Sequence, residues 1–463
     1  MFIGRKRELA ALENFYQRDG FEFPVIYGRR RVGKTRLIQE FIQDKDAIYF
    51  MATEQTAKEQ LRNLTRAVGE RQEDSALQYA AFDSFDRLFS YITEISRDKR
   101  IVFVIDEYPY LTKAVPEISS ILQKYIDLEW QHTKLYLILC GSSMSFMERQ
   151  VLGYQSPLYG RRTGQLKLQA LPYYEALQFF PDWQDEEKLL AYGVAGGIPL
   201  YLNYLSQYKN LEAAIEGEFL SISGHLQEEP LNLMLQELRE PAGYNSILTA
   251  IANGASRQND IATAVGKESS RLPFYLNNLM DLGIVVRKQP LESKSNKKGI
   301  YRIADNLYRF WYRFIPACAS LIAIGRGELA WKKAIQPHLS EYFGPVFEDI
   351  CMQYLQYQMM NGRMEELYLR FGSWWGNNPA KKREEEIDIV CADDTDILCG
   401  ECKWKNEALD LPVLERLRER SALIQKGRKV HYALFSKSGF TKSVKEQAQK
   451  DGILLADMEK LML

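Results

Sequence analysis

Two groups of residues in this chain have the types and spacings that could do chemistry. The first begins at Gly28, where "GRRRVGKT" sets Gly28, Gly33, Lys34 and Thr35 in the order G-x-x-x-x-G-K-T. Glycines there let backbone N–H groups turn inward around phosphate oxygens. The lysine adds a point charge on the β- and γ-phosphates, and the threonine hydroxyl is offered to Mg²⁺. A helix that starts at this loop adds the positive end of its dipole. Downstream, "RIVFVIDEYPYL" ends an apolar run in Asp106 and Glu107. An acid at the end of a buried strand can hold Mg²⁺ through water, and a glutamate directly after it can orient and deprotonate an attacking water. "LILCGSS" then brings Ser142, a small polar group that could touch the γ-phosphate or that water. "SPLYGRRTG" brings Arg161 and Arg162, either of which could act as a finger on the γ-phosphate, within the subunit or across an interface. The chemistry is hydrolysis of a nucleoside triphosphate, with ATP and Mg²⁺ as ligands.

The second group lies near the C-terminus, in "EEEIDIVCADDTDILCGECKWK". Here Asp388 interrupts one apolar strand, while Glu401 and Lys403 stand two residues apart in the next, so their side chains share a face. An antiparallel pairing of the two strands brings Asp388 beside Glu401 and Lys403. Two carboxylates and a lysine on one face can hold Mg²⁺ for phosphodiester cleavage. Asp388 and Glu401 would ligate the ion, and Lys403 would steer or activate the water. A sheet with solvated charges, or a fold used only for binding, would look the same. Cys391, Cys399 and Cys402 have the wrong spacing for a zinc ribbon or finger, and no histidine lies nearby.

The elements that must position these groups follow from periodicity. Pro24–Tyr27 reads as a short strand before the loop. Leu37, Ile38, Phe41 and Ile42 form the apolar stripe of the helix after it. Ile101–Ile105 and Leu135–Cys140 read as strands of a parallel sheet buried on both faces, and one more alternating strand follows Arg162. From Pro172 the chain turns helical, with Gly196, Gly197 and Pro199 breaking one helix and starting another. Residues 244–304 read as three helices and a hairpin, the winged helix-turn-helix order. Arg271, Lys294, Lys297 and Lys298 could meet DNA phosphates there, or the module could serve as an internal or protein-contact switch. The aromatic run Tyr308–Phe314 reads as core. Phe343, Val346, Phe347, Ile350, Cys351 and Leu355 mark a helix that also carries Glu348.

The chain of 463 residues is too long for one ordinary core. It divides into 1–170, a nucleotide-binding core; 171–240, a helical lid; 241–310, the winged helix; 311–340, a linker; and 341–463, the C-terminal domain. A net charge of -1 gives no global pull toward nucleic acid or anionic membrane, so any such binding needs a local patch. The N-terminal "MFIGRKRELAALENFY" reads as a capped amphipathic helix, not a signal peptide, and no apolar run is long enough to span a bilayer. Scattered cysteines in apolar runs fit buried thiols in a reducing cytoplasm.

Taken together, "FIGRKREL", "GRRRVGKT", "VFVIDEYPYL", "LILCGSS" and "SPLYGRRTG" resemble the archaeal-type P-loop ATPases of the AAA+/STAND group, over about the first half of the chain. The resemblance implies a sheet in which an added strand separates the phosphate-loop strand from the Asp106–Glu107 strand. It implies that Ile3, Gly4 and Arg5 lie near the nucleotide base, with Arg36 in the nucleotide-binding set, and that the Gly196–Pro199 turn belongs to a lid facing the nucleotide. Residues 341–463 resemble the domain of unknown function that follows these ATPases, and the D-x(n)-E-x-K pattern of the restriction-endonuclease-like fold. Glu348 matches the extra helix carboxylate of many members, and Ile387 stands where a proline is usual. The expected whole is an α/β protein: P-loop core with helical lid, winged helix, and nuclease-like tail. It would be an ATP-hydrolysing switch coupled to a DNA-directed, Mg²⁺-dependent nuclease-like domain, or a DNA-binding or protein-interaction regulator with a silent tail.

Overall fold

The computed structural model describes residues 2–72, 82–238, 240–292 and 298–463. They form two compact units, Met1–Leu171 with Ile198–Leu200, and Pro172–Gly197 with Tyr201–Leu463.

The first unit is built on five parallel strands: β1 (Pro24–Gly28), β2 (Ala47–Met51), β3 (Ile101–Asp106), β4 (Leu135–Gly141) and β5 (Gly164–Leu168). Their order is β2-β3-β4-β1-β5, so β4 separates the phosphate-loop strand from the acid-bearing strand. Every residue of β1, β3 and β4 is buried, which is why their sequences are apolar throughout instead of alternating. The edge strands β2 and β5 do alternate. Helices Lys34–Ile42, Phe85–Ser96 and Ile118–Leu128 present apolar stripes to this unit's core. Phe89 anchors one side, edge-on to Phe103, Tyr125 and Trp130. Parallel strands bring their C-terminal ends to one edge of the sheet, where ligands of open α/β folds bind.

The second unit opens with the short helix Tyr173–Ala176 and carries helices Asp185–Ala195, Leu211–Glu218 and Glu229–Glu237. Helices Pro241–Ala252, Gln258–Val265 and Leu272–Asp281 follow, then the antiparallel hairpin of β6 (Val285–Lys288) and β7 (Ile300–Ile303), in the order read from the sequence. Lys294 and Lys297 lie outside the described residues. The segment 311–340, expected as a linker, is helical. It continues the 18-residue helix Asn306–Ala323, in which Tyr308, Phe310, Trp311, Tyr312 and Phe314 are all buried.

Helix Leu339–Met360 leads into a mixed sheet of β8 (Arg370–Asn378), β9 (Arg383–Ala392), β10 (Asp396–Lys403), β11 (Lys429–Ser436) and β12 (Leu454–Asp457). The order is β12-β11-β10-β9-β8, antiparallel from β8 to β10 and parallel from β10 to β12. Helices Leu411–Ser421 and Lys442–Asp451 make the two parallel crossovers. Asp410 caps the first by accepting from Leu411 N at 2.8 Å.

Candidate active sites

The loop after β1 needs its glycines. A Cβ on Gly28 would stand 2.5 Å from the Leu168 carbonyl oxygen, and Gly33 holds φ 92°. The segment Ile198–Leu200 reaches this loop, with Pro199 Cγ 3.6 Å from where a Gly33 Cβ would sit. Arg5 is 4% exposed and braces the loop from behind: its guanidinium donates to Val32 O at 2.9 Å and Gln169 O at 2.6 Å. Gly4 and Arg5 both take left-handed backbone, φ 74° and 62°, so helix Lys6–Tyr16 is entered without the expected side-chain cap. Arg36 lies on the exposed side of its helix, 3.6 Å from Glu40.

Lys34 Nζ donates to Gly28 O and Arg29 O, each at 2.9 Å. Burial pulls the Lys34 pKa down, while Cys140, Glu107 and Asp106 oppose it. Thr35 Oγ1 donates to Asp106 Oδ2 at 2.7 Å, so the hydroxyl and the acid predicted to share one cation are in contact. Asp106 is completely buried and also accepts from Tyr49 OH at 2.8 Å and Glu107 N at 2.8 Å. Two oxygens at that separation, one hydroxyl and one carboxylate, suit adjacent ligand positions around Mg²⁺, which takes hard oxygen donors.

Glu107 sits at φ 52°, a left-handed conformation that costs a non-glycine residue on the order of 1 kcal/mol. The strain turns its carboxylate toward β4, where Oε2 accepts from Ser142 Oγ at 2.9 Å. Ser142 is thereby placed beside the candidate base. The two arginines are not gathered with this group: Arg161 makes a two-pronged pair with Asp127, both bonds 2.7 Å, and Arg162 donates to Leu152 O at 3.2 Å.

In the C-terminal sheet, Gly400 pairs with Ile389, and one further step of that antiparallel register sets Glu401 opposite Asp388. Lys403 Nζ lies 2.6 Å from Glu401 and 4.0 Å from Asp388. Asp388 Oδ2 also accepts from Cys402 N at 2.8 Å. Burial, then Glu401 and Glu348, push the Asp388 carboxyl up to about 7. Burial likewise raises Glu348, against the pull of Arg302. Glu401 and Asp388 hold the Lys403 ammonium above its ordinary value despite its burial.

Two cations that sequence reasoning missed also enter this centre. Arg420, from helix Leu411–Ser421, lies 3.1 Å from Glu401, and Arg302, from β7, lies 3.6 Å from Glu348. Among the described residues no three His, Cys, Asp or Glu side chains gather closely enough to hold a metal ion. In this arrangement Lys403 and Arg420 pair with Glu401, and Arg302 pairs with Glu348. All six cysteines are buried and free.

The hairpin that brings Arg302 is itself docked on the C-terminal sheet. Leu291 N donates to Ser373 O at 2.8 Å, and Trp375 Nε1 donates to Lys298 O at 3.2 Å. Glu292 meets Arg370 at 3.0 Å, Lys426 at 3.2 Å and Arg428 at 3.2 Å. Lys288 meets Asp349 at 2.9 Å. Arg271, on the third helix of this module, is exposed and lies 3.7 Å from Glu268.

Two family models match the chain. Residues 2–205 match an ATPase domain predominantly from Archaea, and residues 311–420 match a domain of archaeal and bacterial proteins of unknown function. The second match takes in the helical segment 311–340. An uncharacterized protein of Methanocaldococcus jannaschii is 34% identical over 409 residues, covering 88% of each chain. Among solved structures, a Walker-type ATPase of Pyrococcus abyssi shares the fold at TM-score 0.51 and 21% identity, over 67% of this chain and 96% of that one. No helix among the described residues is long and apolar enough to cross a membrane.

Proposed function

Because this chain belongs to the archaeal-type P-loop ATPases that carry a C-terminal domain of unknown function, we propose that it is an ATP-driven switch whose nucleotide state governs a restriction-endonuclease-like, DNA-directed tail. The observation that carries the ATPase half is the 2.7 Å contact between Thr35 and Asp106 at the mouth of the phosphate loop. Thr35 and Asp106 would hold Mg²⁺, which supplies neutralising charge to the β- and γ-phosphates when bound. Backbone amides from Gly28 to Thr35 cradle the phosphates, and Lys34 exchanges its two carbonyl partners for phosphate oxygens. Glu107 orients the attacking water and takes its proton, with Ser142 holding the carboxylate in place. Of the arginine pair, Arg162 is the better candidate finger, because Asp127 already occupies Arg161.

The tail is read as nuclease-like from the register that sets Asp388 against Glu401 with Lys403 between them. Residues 241–310 would be a winged helix, joined to a tail at 341–463. Its hairpin meets the tail, which supports the internal-switch role over direct contact with DNA. A different observation favours a DNA-binding or protein-interaction regulator with a silent tail: Arg302, Arg420 and Lys403 all neutralise acids that cleavage would need.

An electrophoretic assay on plasmid and linear DNA, with Mg²⁺ or Mn²⁺ and with or without ATP, separates these. Cutting that Asp388→Ala and Lys403→Ala abolish supports the nuclease. Salt-sensitive retention without cutting supports a DNA-binding regulator. ATP turnover with neither effect leaves a protein-interaction switch.

A further inference from the structure

Asp106 carries more hydrogen bonds than its expected role needs, and one comes from a residue the phosphate-loop motif does not contain. Its carboxylate is completely buried. Oδ1 accepts from the Glu107 amide, while Oδ2 accepts from both Thr35 Oγ1 at 2.7 Å and Tyr49 OH at 2.8 Å. Tyr49 belongs to the edge strand β2, whose pairing with β3 sets Met51 against Asp106 and Tyr49 against Val104. The ring therefore reaches along the sheet edge to the acid from two residues upstream. The phenol is the donor in this bond and the buried carboxylate the acceptor.

Thr35 and Tyr49 differ in what they can do next. Thr35 stands at the loop and would share the cation with Asp106. Tyr49 would not share it and can only hold the carboxylate. A buried carboxylate fixed by a charge-assisted bond cannot rotate freely about its last torsion. The Glu107 amide holds Oδ1, and Tyr49 holds Oδ2 at the position where it meets Thr35.

We infer that Tyr49 is a positioning residue of the ATPase reaction, whose hydroxyl locks the Asp106 carboxylate in the orientation that serves the Mg²⁺–nucleotide complex. The consequence is specific: losing the hydroxyl weakens the cation dependence of nucleotide binding while leaving cation-independent binding alone.

The test is a Mg²⁺ titration of fluorescent-ADP binding to the full chain, comparing wild type with Tyr49→Phe. The Mg²⁺ concentration at half-saturation should rise about tenfold, as expected for one charge-assisted bond, and affinity in EDTA should stay within twofold. At saturating Mg²⁺, kcat should recover more fully than at limiting Mg²⁺. In an Asp106→Ala background, Tyr49→Phe should add no further shift, because the acceptor is gone. The inference is overturned if Tyr49→Phe leaves the Mg²⁺ midpoint within twofold of wild type. It is equally overturned if affinity falls by the same factor with and without Mg²⁺, or if the full shift persists in the Asp106→Ala background. Should Tyr49→Phe lower the thermal transition, both proteins are titrated at a temperature where each is folded, and the same two outcomes decide.

Discussion

Glu107 shows how much a single residue's surroundings can say about its role. Its left-handed φ of 52° comes at the end of a fully buried strand, and its carboxylate is held by Ser142. Glu107→Gln should keep ATP binding within about threefold and lower turnover at least about a hundredfold, the usual scale for losing a general base. Phosphate release and nucleotide-binding titrations check the two halves separately. At the other centre, Asp388 gives a pH signature. Its carboxyl rises from 3.8 to about 7 on folding, so the folded chain keeps a proton that the unfolded chain has released. Stability from this group is complete below the unfolded value and is lost as pH climbs through the folded one. In EDTA, Asp388→Asn should gain on wild type across that window by on the order of 3 kcal/mol and then level off. Urea midpoints at pH 5 and pH 8 measure the difference; parallel pH profiles would contradict it.

Among the elements, the hairpin of β6 and β7 makes contacts that its sequence does not display. From sequence it reads as a phosphate-binding wing or an internal contact module, and Leu291, Glu292, Lys298 and Arg302 all engage the C-terminal sheet or its helix. Glu292 faces three cations at once, and Arg428 among them is 7% exposed, so removing the acid strands buried charge. Glu292→Ala should lower the stability of the second unit by about 2 kcal/mol, read from the denaturant midpoint. The phosphate loop, the Asp106–Glu107 strand and the Asp388/Glu401/Lys403 strands were legible because their chemistry fixes residue types at short spacings. Contacts made across long stretches of chain were not. Arg302 and Arg420 look like ordinary solvated charges on a strand and on the helix "LERLRER". Tyr49 looks like one more aromatic on an alternating edge strand. Arg5 gave no sign that it would clamp Val32, and β8 lay in "RFGSWWGNN", whose bulge between Gly372 and Trp374 breaks the alternation. Such partners are chosen by folded geometry, which one sequence does not display.

For the whole molecule, the central claim is that ATP held between residues 28–35 and Asp106 changes the state of the C-terminal sheet and the hairpin docked on it. Glu107→Gln would trap the ATP-bound form long enough to observe it. Hydrogen–deuterium exchange on that variant, with and without Mg²⁺–ATP, is the most direct measurement. Altered exchange at residues 285–291 and 370–378, together with protection of residues 28–35, is the predicted result. Protection confined to residues 1–171, with the hairpin and β8 exchanging identically in both conditions, would contradict it.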